Sequence, residues 1–184
     1  MYQLLARMYG SQNLPDSSNM CHESTSVGLK QSLGVGVGTV VLEDFDETDC
    51  ILFFGQNVGV NSPRMLHDLQ RAAKRGVPII VFNPLRERGL ERFTNPQSPV
   101  EMLTGKETPL ATQYHQVKAG GDIAAITGLC KALLAFDDEA RAQGSEAVFD
   151  QTFIAQHCHG FDEFAAFVRA QSWSDIESAS GLTT

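Results

Sequence analysis

Two short apolar runs frame this chain. Cys50-Ile51-Leu52-Phe53-Phe54 stops at Gly55, and Val77-Pro78-Ile79-Ile80-Val81-Phe82 stops at Asn83-Pro84. Both are rich in β-branched and aromatic residues and lack polar alternation, the pattern of strands buried on both faces of a parallel sheet. Between them the punctuation predicts a helix. Ser62 caps its start, Pro63 takes the first helical position, and Gly76 follows Lys74-Arg75 at its end. Met65, Leu66, Leu69, Ala72 and Ala73 fall on one face, which should pack on the sheet. The three pieces form a βαβ unit with a right-handed crossover. Ligands of such units gather beyond the carboxyl ends of the strands, here residues 55–62 and 83–88.

The same pattern extends to both sides. Tyr114-His115-Gln116-Val117 reads as a third strand, and Lys118-Ala119-Gly120-Gly121-Asp122 turns it into a helix over 123–136. Asp122 is its expected N-cap, and Ile126, Leu129, Cys130, Leu133 and Leu134 its inward face. Residues 2–9 read as a helix ended by Gly10, and 11–23 as a polar, turn-rich loop. Residues 24–38 carry Gly28, Gly34, Gly36 and Gly38 without the spacing of a dinucleotide fingerprint. They read equally as a loop wrapped round a cofactor or as a flexible connection. Residues 39–48 are a helix or a short strand with Val41, Leu42 and Phe45 inward, and 94–112 a loop with one helical turn. A polar linker at 137–145 precedes short helices at 149–157 and 161–170 and a final one at 173–180, after which the end should fray. The fold class is α/β.

Composition narrows the function. With 42% hydrophobic and 20% charged residues, the 184-residue chain is an ordinary globular one. A net charge of -8 argues against nucleic acid, yet leaves room for a small anion bound by loop amides and helix N-termini. No run approaches the roughly 20 apolar residues of a membrane span, and no signal peptide opens the chain, so a cytoplasmic setting is expected. Of the four cysteines, Cys50 and Cys130 read as small core residues. His157-Cys158-His159 are too close in sequence to converge on one ion. Cys21-His22 is a thiol beside an imidazole, either a reactive or metal-binding thiol or a loop cysteine of no consequence. At the second strand's end, Asn83 can hydrogen-bond a polar ligand group and Arg86 can grip a phosphate, whereas Arg88 and Arg92 read as solvated.

Several segments together resemble one family. Asn19-Met20-Cys21-His22-Glu23-Ser24-Thr25-Ser26-Val27-Gly28-Leu29 is similar to the molybdenum-ligand loop of formate dehydrogenase catalytic subunits, in the molybdopterin oxidoreductase (dimethyl sulfoxide reductase) superfamily. Residues 49–57 with Asn61-Ser62-Pro63 resemble its strand–Gly–x–Asn segment. Residues 75–86 resemble its Arg-Gly–strand–Asp-Pro-Arg segment, and 117–122 its later strand–glycine turn. Phe153-Ile154-Ala155 and Gly160-Phe161 also match. The resemblance covers the whole chain in order.

It implies a Rossmann-like parallel sheet flanked by helices. It also implies a bis-molybdopterin guanine dinucleotide cofactor with Mo or W, Cys21 as the metal ligand and His22 assisting proton transfer. Gly55, Gln56, Asn57, Asn61, Ser62, Asn83, Arg86, Gly121 and Asp122 would hold one guanine-dinucleotide arm. Two departures matter: the family's strand-end Asp is Asn83, and Asn83-Pro84-Leu85-Arg86 shifts the arginine by one. Family enzymes are longer, with an upstream [4Fe-4S] cluster motif that these cysteines do not match. The chain is therefore expected to be a single module, residues 1–184, of a longer enzyme, inactive when isolated. Residues 1–48 would carry the ligand loop and glycine-rich segment, 49–136 the cofactor-binding core, and 137–184 a helical part. Its partners would be a small-molecule substrate and the missing N- and C-terminal domains, or a second copy pairing through exposed faces. The competing reading is a non-catalytic nucleotide- or cofactor-binding α/β domain that serves as a structural spacer.

Overall fold

The computed structural model describes residues 1–14 and 18–183; the expected turn at Pro15-Asp16-Ser17 and the terminal Thr184 lie outside them. The chain divides into two compact units, Met1–Asp44 and Phe45–Thr184.

The first unit is helical. Helix α1 (Tyr2–Met8) ends near Gly10 as its pattern predicts. The expected loop around Cys21 is instead a π-helical turn, Ser18–His22, that runs into α2, Glu23–Leu33. Helix α2 replaces the connection expected over residues 24–33. Its serine, threonine and glycine content masks it, because these residues are weak helix formers. The remaining glycines, from Gly34, form bends after it.

The second unit is built on the predicted βαβ core. A short α3 (Asp44–Glu47) tucks Phe45 against that core, while Val41 and Leu42 are exposed. Strands β1 (Ile51–Phe54) and β2 (Ile79–Phe82) pair in parallel, with Ile51 opposite Ile79. Two short helices, α4 (Val58–Asn61) and α5 (Met65–Lys74), connect them. The expected Ser62 cap is corrected: Asn57 caps α4, its side chain accepting from the Val60 N–H, and α5 starts behind Arg64 without a side-chain cap. Leu66, Leu69 and Ala72 of α5 bury against Ile51, Phe53, Ile79 and Val81, the large side chains each contributing roughly 1.5–3 kcal/mol.

The chain then runs through α6 (Arg88–Glu91), β3 (Arg92–Phe93), α7 (Pro99–Thr104) and β4 (Thr108–Pro109). Strands β3 and β4 form a small antiparallel pair that the sequence pattern did not reveal, since two-residue strands carry no alternation. Helix α7 is the predicted turn, capped by Ser98. Strand β5 (Gln113–His115) joins β2 in parallel, giving the order β1-β2-β5.

Helix α8 (Asp122–Ala142) extends into the segment expected as a linker, taking up residues 137–142 of it. Its cap is Gly121 with no side-chain bond, so Asp122 is the first helical residue and not the N-cap. The inward face also differs. Ala125, Gly128, Leu134 and Asp137 are buried, whereas Ile126, Leu129 and Leu133 are exposed. Asp137 accepts from the Val148 and Phe149 N–H groups at 2.8 and 3.1 Å and pairs with Arg141 at 2.7 Å. Helices α9 (Gln151–His157), α10 (Phe161–Ala170) and α11 (Trp173–Ser180) follow as predicted. Leu134, Ala165 and Val168 make a small core between α8 and α10.

The cysteine expectations divide. Cys50 is exposed just ahead of β1, contrary to its reading as a core residue, while Cys130 is half-buried and burial raises its thiol pKa. The strands are not uniformly buried either: Leu52 on β1 is half exposed. Among the described residues, no helix is long and apolar enough to cross a membrane.

Candidate functional site

The two groups of candidate residues lie in different units. In the first, Cys21 is an exposed free thiol on the π turn, and His22 is the residue that precedes α2. Asn19 Nδ2 donates to Glu23 Oε2 at 2.5 Å, bridging the turn to the start of α2. Among the described residues, no group of three or more His, Cys, Asp or Glu could hold a metal. Cys21 could offer a metal one thiolate, a soft ligand. An accessible thiol fits that arrangement.

The second group occupies the carboxyl edge of the sheet, where parallel strands leave their loops free to receive a ligand. Gly55 N donates to Phe82 O and Asn83 N to His115 O, so all three strands end at one level. Past that level Gln56 Nε2 reaches Ser62 Oγ at 3.5 Å, and Asn57 and Asn61 lie at the two ends of α4. After β2, residues 83–87 are tied to β5 through Tyr114. Asn83 Nδ2 donates to Leu85 O at 2.6 Å and to the Tyr114 hydroxyl at 3.4 Å. That hydroxyl accepts from Glu87 N at 3.2 Å and donates to Leu85 O at 2.7 Å. Asn83 is buried, so it fixes this loop. Arg86 stands over the Tyr114 ring, 5.5 Å from its centroid, and Arg86 Nε donates to Glu91 at 2.6 Å.

Two loops approach closely here. A Cβ on Gly59 would lie 2.8 Å from Gly89 Cα, and one on Gly89 would lie 2.7 Å from Gly59 Cα, so α4 and α6 can cross only as glycines. One cavity lies at the crossing and a second beside it. One, of about 350 Å³, touches Arg86, Glu91 and Tyr114; the other, of about 430 Å³, touches Asn57, Glu87 and Arg88. Arg92 and Glu107 line both. The carboxyl of Glu107 is pushed up by burial, but Arg88 and Arg92 outweigh this and hold it below the ordinary carboxylate range. Arg88 and Arg92 are therefore ion-paired, not merely solvated.

Gly121 and Asp122 sit where β5 hands over to α8. The glycine is required by packing: a Cβ there would meet Ala179 O at 2.8 Å and Ser180 Cα at 2.9 Å. Sequence reasoning singled out neither Tyr114, Glu87 nor Glu107. Tyr114 had a signal, an aromatic with a polar tip beside a predicted strand end, where buried hydroxyls find partners.

The edge and the thiol turn carry the residues that the sequence resemblance selected. No family model matches the chain. It is 54% identical over 183 residues to Protein YdeP of Escherichia coli strain K12, covering 100% of this chain and 24% of that protein. It is 27% identical over 183 residues to the F420-dependent formate dehydrogenase 1 subunit alpha of Methanococcus maripaludis, covering 99% of this chain and 23% of that one. Other matched relatives are named oxidoreductases. Among solved structures, acetylene hydratase from Pelobacter acetylenicus matches with a TM-score of 0.60 and 22% identity over 98% of this chain and 21% of its own. The resemblance to the molybdopterin oxidoreductase superfamily is borne out, since the chain is homologous end to end to a segment of proteins that include formate dehydrogenase subunits. It spans about a quarter of the length of the relatives it matches.

Proposed function

We propose that this chain is the molybdopterin-binding portion of a formate dehydrogenase-like oxidoreductase. The observation that carries the reading is the end-to-end match to a formate dehydrogenase alpha subunit, with Cys21 an exposed free thiol. Residues 49–136 supply the cofactor-binding core. Within it Gly55, Gln56, Asn57, Asn61 and Ser62 from the β1 loop line one side of a guanine-dinucleotide arm. Asn83 and Arg86 lie on the other side, and Gly121 and Asp122 at the third strand.

A bis-molybdopterin guanine dinucleotide with Mo or W would supply the two-electron redox chemistry. The chain's own residues bind and position. Cys21 gives the metal a thiolate, and His22, its neighbour on the same turn, accepts or returns a substrate proton. Tyr114 holds the loop after β2 in its binding shape before ligand arrives, which limits the ordering cost of binding. The remaining domains, including any [4Fe-4S] cluster, belong to the rest of the longer polypeptide, the compartment is the cytoplasm, and the isolated segment is inactive.

The test is elemental analysis of the full-length enzyme, produced with cofactor maturation, as wild type and as Cys21→Ala. Mo or W in the wild type, with metal and turnover reduced in the variant, is the expected result. Absence of both metals from the wild type would favour the spacer reading instead.

A further inference from the structure

The chain passes from β5 to α8 through residues 116–121, and the end of α11 closes against that passage. A helix ends with four carbonyls that lack intrahelical partners. At the end of α11, Glu177 O is met by the Gly181 N–H at 2.8 Å. Two of the others are met from outside the helix by a single residue. Lys118 Nζ donates to Ser178 O at 2.7 Å, and Lys118 N to Ser180 O at 2.8 Å. The helix dipole favours a cation there, and a charged donor makes the stronger kind of hydrogen bond.

The packing is as close as the bonding. A Cβ on Gly181 would lie 2.7 Å from Lys118 Cγ, so the lysine stem occupies the space that a side chain would take. Gly121, whose N–H bonds back to Lys118 O at 2.8 Å, is pressed against Ala179 and Ser180. Ser180 is buried. The turn is thus seated on a helix 60 residues further along the chain. Its own residues do little to fix it, since Gly120 takes a φ of +81° and Gly121 gives α8 no side-chain cap.

We propose that Lys118 is a positioning residue: by closing the end of α11 it holds the 118–121 turn in the shape that presents Gly121 and Asp122 to the cofactor, without touching the cofactor itself. The inference rests on the reading of Gly121 and Asp122 as part of the cofactor site. It adds to that site's support a helix, α11, that contributes none of the residues proposed to bind.

The test uses the full-length enzyme, produced with cofactor maturation, as wild type, Lys118→Met, Lys118→Arg and Gly181→Ala. Hydrogen exchange read by mass spectrometry over residues 117–122 follows the turn, elemental analysis follows the cofactor, and thermal melts follow folding. Lys118→Met keeps the stem and removes the charged donor. It should speed exchange over 117–122 roughly three- to tenfold, the worth of a charge-assisted bond near the surface. It should also lower Mo or W content roughly two- to fivefold, because a turn that must be ordered on binding weakens it. Gly181→Ala drives a methyl into the lysine stem and should act in the same direction from the other side of the contact. Lys118→Arg restores a charged donor and should return both readings toward wild type. Exchange over 117–122 that neither Lys118→Met nor Gly181→Ala changes, exchange that rises equally across the whole protein, or metal content that stays at the wild-type level would overturn the positioning role while leaving the cofactor reading intact. A wild type that holds neither metal would overturn the cofactor reading, and the positioning role with it.

Discussion

The two faces of the parallel sheet are finished to different degrees. On one, Ile51, Phe53, Ile79 and Val81 are sealed by α5, with Leu69 and Val81 at 1% and 0% exposure. On the other, Phe54, Phe82 and His115 stack in a row across the three strands, with ring centroids 4.7 and 5.0 Å apart. There Leu52 is 50% exposed, and a largely apolar cavity of about 720 Å³ separates Phe82 and His115 from Leu129 of α8 and Trp173 of α11. The sealed face is closed by a helix adjacent in sequence to both strands. The open face relies on helices that come later and pack chiefly on each other, α8 against α10 and α11. A sheet buries its second face only if elements reach it, and here the helices that reach it leave a cavity.

The comparison predicts an ordered series of effects. Leu69→Ala, inside the sealed face, should lower stability by about 2–5 kcal/mol in urea unfolding, through lost transfer energy and a cavity. A much smaller loss would mean that α5 collapses onto the gap and the face is looser than its burial suggests. Gly89→Ala should cost about 1–3 kcal/mol, because the new methyl meets Gly59 Cα at 2.7 Å. A neutral result would show that α4 and α6 can separate, and that the cavity at their crossing is pliable.

Each side is also braced by a buried carboxylate, which makes pH a probe of both. Glu101, beside α5, accepts from Asn95 N at 2.8 Å, and this bond above all, with Lys74 and Gln70, holds its carboxyl below the ordinary value of 4.5. Burial would raise the Asp137 carboxyl, but the Phe149 N–H, Arg141 and the Val148 N–H outweigh it and hold it below 3.8. Groups lowered on folding stabilise the protein above their unfolded pKa and lose that contribution as pH falls through the folded one. Stability should therefore be level near neutrality and fall below about pH 4.5, and Glu101→Gln should flatten part of that fall. A profile unchanged by the substitution would show that Glu101 is not bound tightly in solution. The smallest effect belongs to the open face: Leu52→Ser should shift stability by no more than about 0.5 kcal/mol. A loss like that of Leu69→Ala would reveal that something covers Leu52 after all.

How much could be read beforehand varied with how local the signal was. The βαβ core, the third strand, and the helices after Gly121 and Gly160 follow from short apolar runs bounded by glycine, proline and polar caps. The inward face of α8 did not. That helix is apolar on most sides, so Ile126, Leu129 and Leu133 looked as suited to the interior as Ala125 and Gly128. The candidate site divides the same way. Its strand-end positions were legible because parallel topology dictates where ligands approach. The bonds that shape it, Tyr114 to residues 83–87 and Glu107 to Arg88 and Arg92, join residues far apart in sequence, and no spacing rule foretells them.

By itself, then, the sequence determined the α/β class, the crossover between β1 and β2, and where the first two strands end. Periodicity and chain punctuation act over a few residues and need no partner. Only the tertiary structure decided which apolar residues are covered, that Gly121 serves packing against Ala179 and Ser180, and that Arg88 and Arg92 share one recessed carboxylate while Arg86 pairs with Glu91. Those outcomes depend on which distant groups are brought together, since burial and charge pairing belong to contacts that exist only once the chain has folded.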